Sequence, residues 1–264
     1  NIWYFGDYAG IDFNSGSPVA LNNSAMFQHE GCATISDNFG NLLFYTNGME
    51  IWNASHSLMP NGSGLMGDPS AAQSGVIVPN PGDPDIYYVF TVDAEISPVG
   101  LRYSEVDMTL DGGLGDVTTV KNVFLVAPSE EKVTAVKHSN GTDIWVVTHT
   151  WDSDEFYAYL VTSSGVNTSP VISSVGTYHS GAQGYTHGYM KFSPDGTKLA
   201  IVIRFQNTLE LFDFDASTGT LSNPVVFATL YNSGYGLEFS EDGNVLYMSK
   251  YGGVSQIYQW DLTT

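Results

Sequence analysis

The sequence predicts an all-β protein, a β-propeller of four-stranded antiparallel blades, and three observations carry the prediction. A unit of apolar strand, Gly-containing polar turn and second apolar strand recurs along the chain. Alternating third strands follow these hairpins. No window shows a sustained apolar recurrence at i, i+3, i+4 and i+7, so helix is expected to be nearly absent.

The hairpin cores read CATISDNFGNLLFYT at 32–46, GVIVPNPGDPDIYYVFTV at 75–92, VTAVKHSNGTDIWVVTHT at 133–150, YMKFSPDGTKLAIVI at 189–203 and LEFSEDGNVLYMSK at 237–250. Their turn glycines, Gly40, Gly82, Gly141, Gly196 and Gly243, are spaced by 42, 59, 55 and 47 residues. Gly or Asn at such tips takes positive φ at low steric cost and closes an antiparallel hairpin. Third strands are LRYSEVDM at 101–108, EFYAYLVT at 155–162, LELFDFDA at 209–216 and QIYQWDLT at 256–263. Fourth runs are NVFLVAP at 122–128, SPVISSVG at 169–176 and NPVVFATL at 223–230. Five blades are therefore visible, with cores near 32–58, 75–128, 133–176, 189–230 and 237–264, in one continuous domain spanning 1–264. The first residues, 1–21, read as outer strands of a closing blade, because IDFNSGSPVAL parallels LFDFDASTGTLSNPVVF and an N-terminal segment so placed would cover the last sheet edge.

Composition narrows the function classes. With 264 residues, 42% of them hydrophobic, the chain can bury a full core. Eight Lys+Arg against 28 Asp+Glu give a net charge of −20, and the pI is near 4.2, so nucleic acid and anionic lipid are repelled. Charged residues are only 14% of the chain, while Gly, Tyr, Ser, Thr and Asn abound, the profile of a secreted β-protein. No apolar run is long enough to span a membrane. The chain starts at Asn1 without a signal peptide or initiating Met, and is expected to be processed or excised. Cys32 is the lone cysteine, so packing and not a disulfide must hold the fold, and in GCATIS it reads as a small buried hydrophobe.

The strings NIWYFGDYAGIDFNSGSPVAL, EGCATISDNFGNLLFYTNG, GLRYSEVDMTLDGGLGDV, KVTAVKHSNGTDIWVVTH and GYMKFSPDGTKLA resemble the N-terminal β-propeller region of large secreted Bacteroidetes proteins, the gliding-motility-associated substrates of type IX secretion. The resemblance runs from Asn1 to about Leu262. It implies a secreted or cell-surface address on the outer-membrane exterior, and a propeller that continues for further blades into a seven-bladed ring. It supplies no catalytic residues.

In a propeller, residues at the entrance to each innermost strand point toward the axis. Those positions hold His29 and Glu30, Gln73 and Ser74, Glu131 and Lys132, His187, and Tyr235. Of these, Glu30, Gln73, Glu131, Lys132, His187 and Tyr235 are the candidate ligand-binding set, able to bind a sugar, a peptide or a metal. The six His residues, at 29, 56, 138, 149, 179 and 187, are scattered without HExxH or a Cys cluster, which argues against a zinc site. The acidic tips SDNFGN, SPDGTK and SEDGN, and Asp107, Asp111 and Asp116, offer oxygen ligands to calcium, although turn capping explains them as well. No GxSxG elbow and no phosphate-binding Gly loop is present. The tryptophans, Trp3, Trp52, Trp145, Trp151 and Trp260, read as inter-blade packing; Tyr185, Tyr189, Tyr231, Tyr235 and Tyr251, near glycines, read as recognition surface.

Two function classes result. The favoured one is a non-catalytic module presenting loops to an extracellular glycan, peptide or protein, without a required cofactor. The alternative is a hydrolase of a sugar or lactone using Glu30, Glu131 and His187. A structural subunit of an extracellular filament or gliding apparatus shares the sequence features of the first.

Overall fold

A computed structural model describes residues 1–227 and 233–263. These residues form six antiparallel sheets of three to five strands, and the helical content is two short 3-10 turns. The chain divides into two compact units, Asn1–Ala94 with Val99–Val126, and Glu95–Pro98 with Ala127–Thr264.

The first unit holds three sheets. Strands β1 (Ile2–Phe5), β2 (Ala9–Asp12) and β3 (Val19–Leu21) pair in that order, as do β4 (Ala33–Ser36), β5 (Leu42–Thr46), β6 (Glu50–Asn53) and β7 (Leu58–Ser63). In the third sheet β8 (Gly75–Asn80), β9 (Asp83–Val92) and β10 (Leu101–Asp107) are joined on one edge by β11 (Asp116–Val117) and β12 (Val123–Val126), both paired to β10. Phe44, Ile51 and Met59 meet Val89, Val106 and Val117 in one core, and Tyr4 and Met26 meet Tyr45 and Trp52 in another. Period-2 alternation produces both cores, since every second residue of a strand faces the same neighbouring sheet.

The second unit repeats the arrangement. Its sheets are β13 (Ser129–Lys137), β14 (Ile144–Thr150), β15 (Ser153–Thr162), β16 (Gly165–Val166) and β17 (Val171–His179); then β18 (Met190–Phe192), β19 (Lys198–Ile203), β20 (Thr208–Asp215) and β21 (Thr220–Phe227); then β22 (Gly234–Phe239), β23 (Val245–Lys250) and β24 (Ile257–Asp261). Trp145, Phe156, Met190, Ile201 and Phe212 pack together, and Val202, Leu209, Leu237, Leu246 and Met248 form the next cluster.

All five expected hairpins are present, as β4–β5, β8–β9, β13–β14, β18–β19 and β22–β23. Gly40, Gly141, Gly196 and Gly243 close them with φ of 88, 78, 70 and 71°; Gly82 does not take positive φ. The expected run at 223–230 is the end of β21, and its residues 228–230 lie outside the described residues.

The blade count differs from expectation: six sheets are seen, not five or seven. Residues 1–21 do not serve as outer strands of the last sheet but form a sheet of their own. Local chemistry explains this. The backbone N–H groups of Ile2 and Tyr4 donate to Ser36 Oγ and Thr34 Oγ1 on β4 at 3.2 and 3.0 Å, and Tyr4 is buried on the β4–β7 sheet. Trp3 is also not the packing residue expected: with Tyr4 turned inward, alternation leaves Trp3 59% exposed, edge-on to Phe13.

Candidate functional site

Glu130, Glu131 and Lys132 follow Ser129 at the start of β13, and all three are fully buried. The ladder explains how three charged neighbours come to point inward. Ser129 pairs with Thr150 and the next pair is Val133 with Thr148, so residues 130–132 stand opposite His149 alone. A bulge of this kind redirects side chains away from regular alternation. A second register shift, between Ser153↔His179 and Glu155↔Ser174, brings the end of β17 to the same place.

The result is a charged cluster inside the second unit. Lys132 Nζ donates to Glu130 Oε2 at 2.7 Å and to the Thr186 carbonyl at 2.5 Å. The other oxygen, Glu130 Oε1, lies 2.7 Å from His179 Nδ1 and 3.7 Å from His149 Nδ1. The two imidazoles stack with centroids 3.8 Å apart, and His179 Nε2 faces Glu210 Oε2 at 3.5 Å. Glu210 is held in turn by the Thr177 N–H and hydroxyl at 2.9 and 2.7 Å.

Burial pushes the Glu130 carboxyl up, but the Lys132 ammonium and His179 outweigh it and bring the pKa down to about 2. His179 is lowered by burial and raised further by Glu130, so it rises above its ordinary value. His149 is pushed well below its ordinary value by burial and by His179. It is therefore a neutral imidazole, and neither ring nitrogen has a hydrogen-bond partner; its approach to the Thr150 backbone falls outside hydrogen-bond geometry. Among the described residues, the set of His, Cys, Asp and Glu side chains close enough to share a metal ion is Glu130, His149 and His179, with donor atoms within 4.8 Å of one another.

Scattering of the histidines argued against a zinc site, yet β14 and β17 bring two of them into contact. The signal that points there is the charged run Glu130-Glu131-Lys132 leading into the apolar strand VTAV, since charged neighbours at that place are buried only when paired.

A second layer leads outward. Glu131 Oε1 accepts from the Glu95 N–H at 2.6 Å and the Thr186 hydroxyl at 3.1 Å, and lies 3.2 Å from His187 Nε2. Arg204 Nη1 donates to His187 Nδ1 at 3.1 Å. Guanidinium has no acceptor, so Nδ1 must accept and the proton of a neutral His187 sits on Nε2, aimed at Glu131. The Arg204 guanidinium lies over the Tyr251 ring at 3.7 Å and over Phe205 at 4.5 Å. These rings are 49% and 42% exposed, and Tyr235 lies 5.4 Å from Tyr251 and 5.8 Å from Tyr189. Among the described residues no carboxylate comes within ion-pair distance of Arg204.

The six candidate residues thus separate. Glu131 and His187 meet directly, Lys132 reaches the same place through the Thr186 carbonyl, and Tyr235 joins them through Tyr251 and Arg204. Glu131 and Lys132 are sealed inside and not presented to a ligand. Glu30 and Gln73 belong to the first unit, where they flank a close backbone approach: Gly31 N–H donates to Ala71 O at 3.0 Å and the Ser74 hydroxyl to Gly31 O. Tyr231 lies outside the described residues. Glu130, His149, His179, Glu210 and Arg204 were not in the candidate set.

The acidic tips use their oxygens internally. Asp37 Oδ1 accepts the N–H groups of Phe39 and Asn41 at 2.8 Å each, Asp195 and Asp242 cap Thr197 and Asn244, and Asp116 holds Asn61. An open groove of about 610 Å³ near Asn61, Asp116 and Lys121 is lined by these internally bonded groups. No helix among the described residues is long and apolar enough to cross a membrane.

No protein-family model and no curated protein matches the chain. Solved structures define its class, that of the β-propellers. Pseudomonas aeruginosa periplasmic gluconolactonase, PpgL, is similar over 97% of this chain and 73% of that one, with 14% identity and a TM-score of 0.59. The Cps50 (Swd1) β-propeller domain of Myceliophteria thermophila is similar over 96% and 76%, with 10% identity and a TM-score of 0.56. A luciferin-regenerating enzyme is matched at 17% identity and a TM-score of 0.41, over 70% of this chain; the chain spans 58% of that enzyme. At these identities the likeness establishes the fold, and no activity passes with it.

Proposed function

We propose that this protein is a secreted or cell-surface binding module whose propeller carries a glycan-recognition face made by His187, Arg204, Phe205 and Tyr251. The observation that carries the reading is Arg204. Among the described residues it is a cation without a carboxylate ion-pair partner, its guanidinium lies against two half-exposed aromatic rings, and its position is set by His187 on the buried Glu131. Such a surface suits a sugar: ring C–H groups stack on Tyr251 and Phe205, while the guanidinium fork donates to hydroxyl or carboxylate oxygens. Aromatic and Arg side chains dominate recognition energies where they are preorganised. Export through type IX secretion, and adhesion at the outer-membrane exterior, follow from the family resemblance and fit the Lys-poor composition.

The experiment is a glycan array with the wild type, Arg204→Ala and Tyr251→Ala. A hit that weakens at least about tenfold in both variants supports the face, since losing one anchor costs about 1–2 kcal/mol or more. A hit that both variants retain removes it.

One observation favours a second reading, a hydrolase of a sugar or lactone. His187 is a partly exposed imidazole whose Nε2–H faces the buried Glu131 carboxylate, and its Nδ1 lone pair becomes a general base where a water or substrate hydroxyl takes the place of Arg204 Nη1. Glu131 itself is sealed from any substrate, as are Glu130 and Glu210, so the imidazole is the group of this cluster that a substrate meets. Lactone or glycoside turnover abolished by His187→Ala would establish the hydrolase; binding without turnover would remove it.

A further inference from the structure

We propose that Glu130, His149 and His179 form a site for one divalent cation of the zinc class, each residue giving one donor atom. Three independent observations carry it. The three donors already lie within 4.8 Å of one another, with Glu130 Oε1 2.7 Å from His179 Nδ1 and 3.7 Å from His149 Nδ1. Zinc bonds of about 2.0–2.1 Å place two ligand atoms up to about 4 Å apart, so side-chain rotations of under about 1 Å complete the set.

His149 is the second observation. It is completely buried and both ring nitrogens lack a hydrogen-bond partner, a condition that costs the desolvation of each unsatisfied group. A cation between His149 and Glu130 gives one of those nitrogens its ligand. Two imidazoles with a carboxylate are a donor set for zinc and its neighbours, whereas calcium and magnesium take oxygen donors.

Charge is the third. Glu130, Glu131 and Glu210 are fully buried with the single cation Lys132. In the ligating form, where both imidazoles are neutral, the three carboxylates exceed the one ammonium by two negative charges, the charge one divalent ion neutralises, and buried charge is stable only when compensated. The surroundings are arranged accordingly. Lys132 engages Glu130 Oε2 and leaves Oε1 to the histidines, and His179 turns Nε2 toward Glu210, the carboxylate–imidazole–metal relay that orients a ligating ring. Binding releases the proton shared by His179 Nδ1 and Glu130 Oε1, and Nε2 keeps its own. Because every donor is sealed, the cation acts on folding and does not meet a ligand of the Arg204 face.

The test uses the full chain, refolded from urea with equimolar Zn²⁺ or with EDTA and then passed over a chelating resin. One zinc retained per chain, a higher Tm than the EDTA form, and loss of both effects in His149→Phe are expected. Absence of retained zinc in the folded wild type overturns the proposal, and so does equal retention by His149→Phe. Should that variant not fold, zinc-edge X-ray absorption of the wild type decides. Scattering from two imidazoles upholds the site and a shell without imidazole overturns it.

Discussion

Replacing Lys132 by Met tests whether the buried cluster is a balanced set of charges. The side chain is fully buried, and its ammonium bridges Glu130 Oε2 at 2.7 Å and the Thr186 carbonyl at 2.5 Å. Met preserves most of the stem and removes the charge. Glu130 then loses its nearest cation, and the Thr186 carbonyl loses a donor. Removing one partner of a buried ion pair costs about 3–5 kcal/mol, because the remaining charge stays out of water. The assay is urea unfolding in EDTA at neutral pH, followed by tryptophan fluorescence, with Trp145 and Trp151 buried in the same unit. The double variant Glu130→Gln/Lys132→Met should lose less than the sum of the two single variants, by about 2 kcal/mol, since residues in one network couple by about 0.5–3 kcal/mol. A Lys132→Met loss below about 1 kcal/mol, or strict additivity, would refute the reasoning.

Gly176 has φ of 93°, and a Cβ there would lie 2.7 Å from Phe212 Cζ and 3.2 Å from Glu210 Oε1. Gly176→Ala should therefore lower stability by at least about 2 kcal/mol, read from denaturant midpoints; an unchanged midpoint would show that the β17 end adapts freely. Phe156 is fully buried, edge-on to Phe212 at 4.9 Å and to His149 at 4.5 Å. Phe156→Ala should cost about 3–5 kcal/mol by calorimetry, and a loss under about 1 kcal/mol would contradict the packing described. Burial raises the Cys32 thiol to about 11. Alkylation by iodoacetamide, followed by mass spectrometry, should therefore accelerate about tenfold per pH unit between pH 8 and 10; a rate that levels off above about pH 9 would place the thiol in water.

What the sequence determined by itself is local. Alternation of period 2 and Gly-bearing turns located five hairpins and four third strands, because strand formation and hairpin closure depend on residues a few positions apart. Position at the entrance of a strand also selects Glu131 and His187, whose side chains lie 3.2 Å apart, and Lys132, which turns instead to Glu130 and the Thr186 carbonyl. Tertiary structure decided the rest. Residues 1–21 carry outer-strand patterning, and the pattern is silent on which edge they cover; Ser36 and Thr34 settle it by accepting the N–H groups of Ile2 and Tyr4. Likewise, His149 and His179 lie on different strands, and two register shifts bring them against Glu130. A register shift leaves no periodic mark in the chain, since it is the balance of pairing and packing between distant strands that places the extra residues.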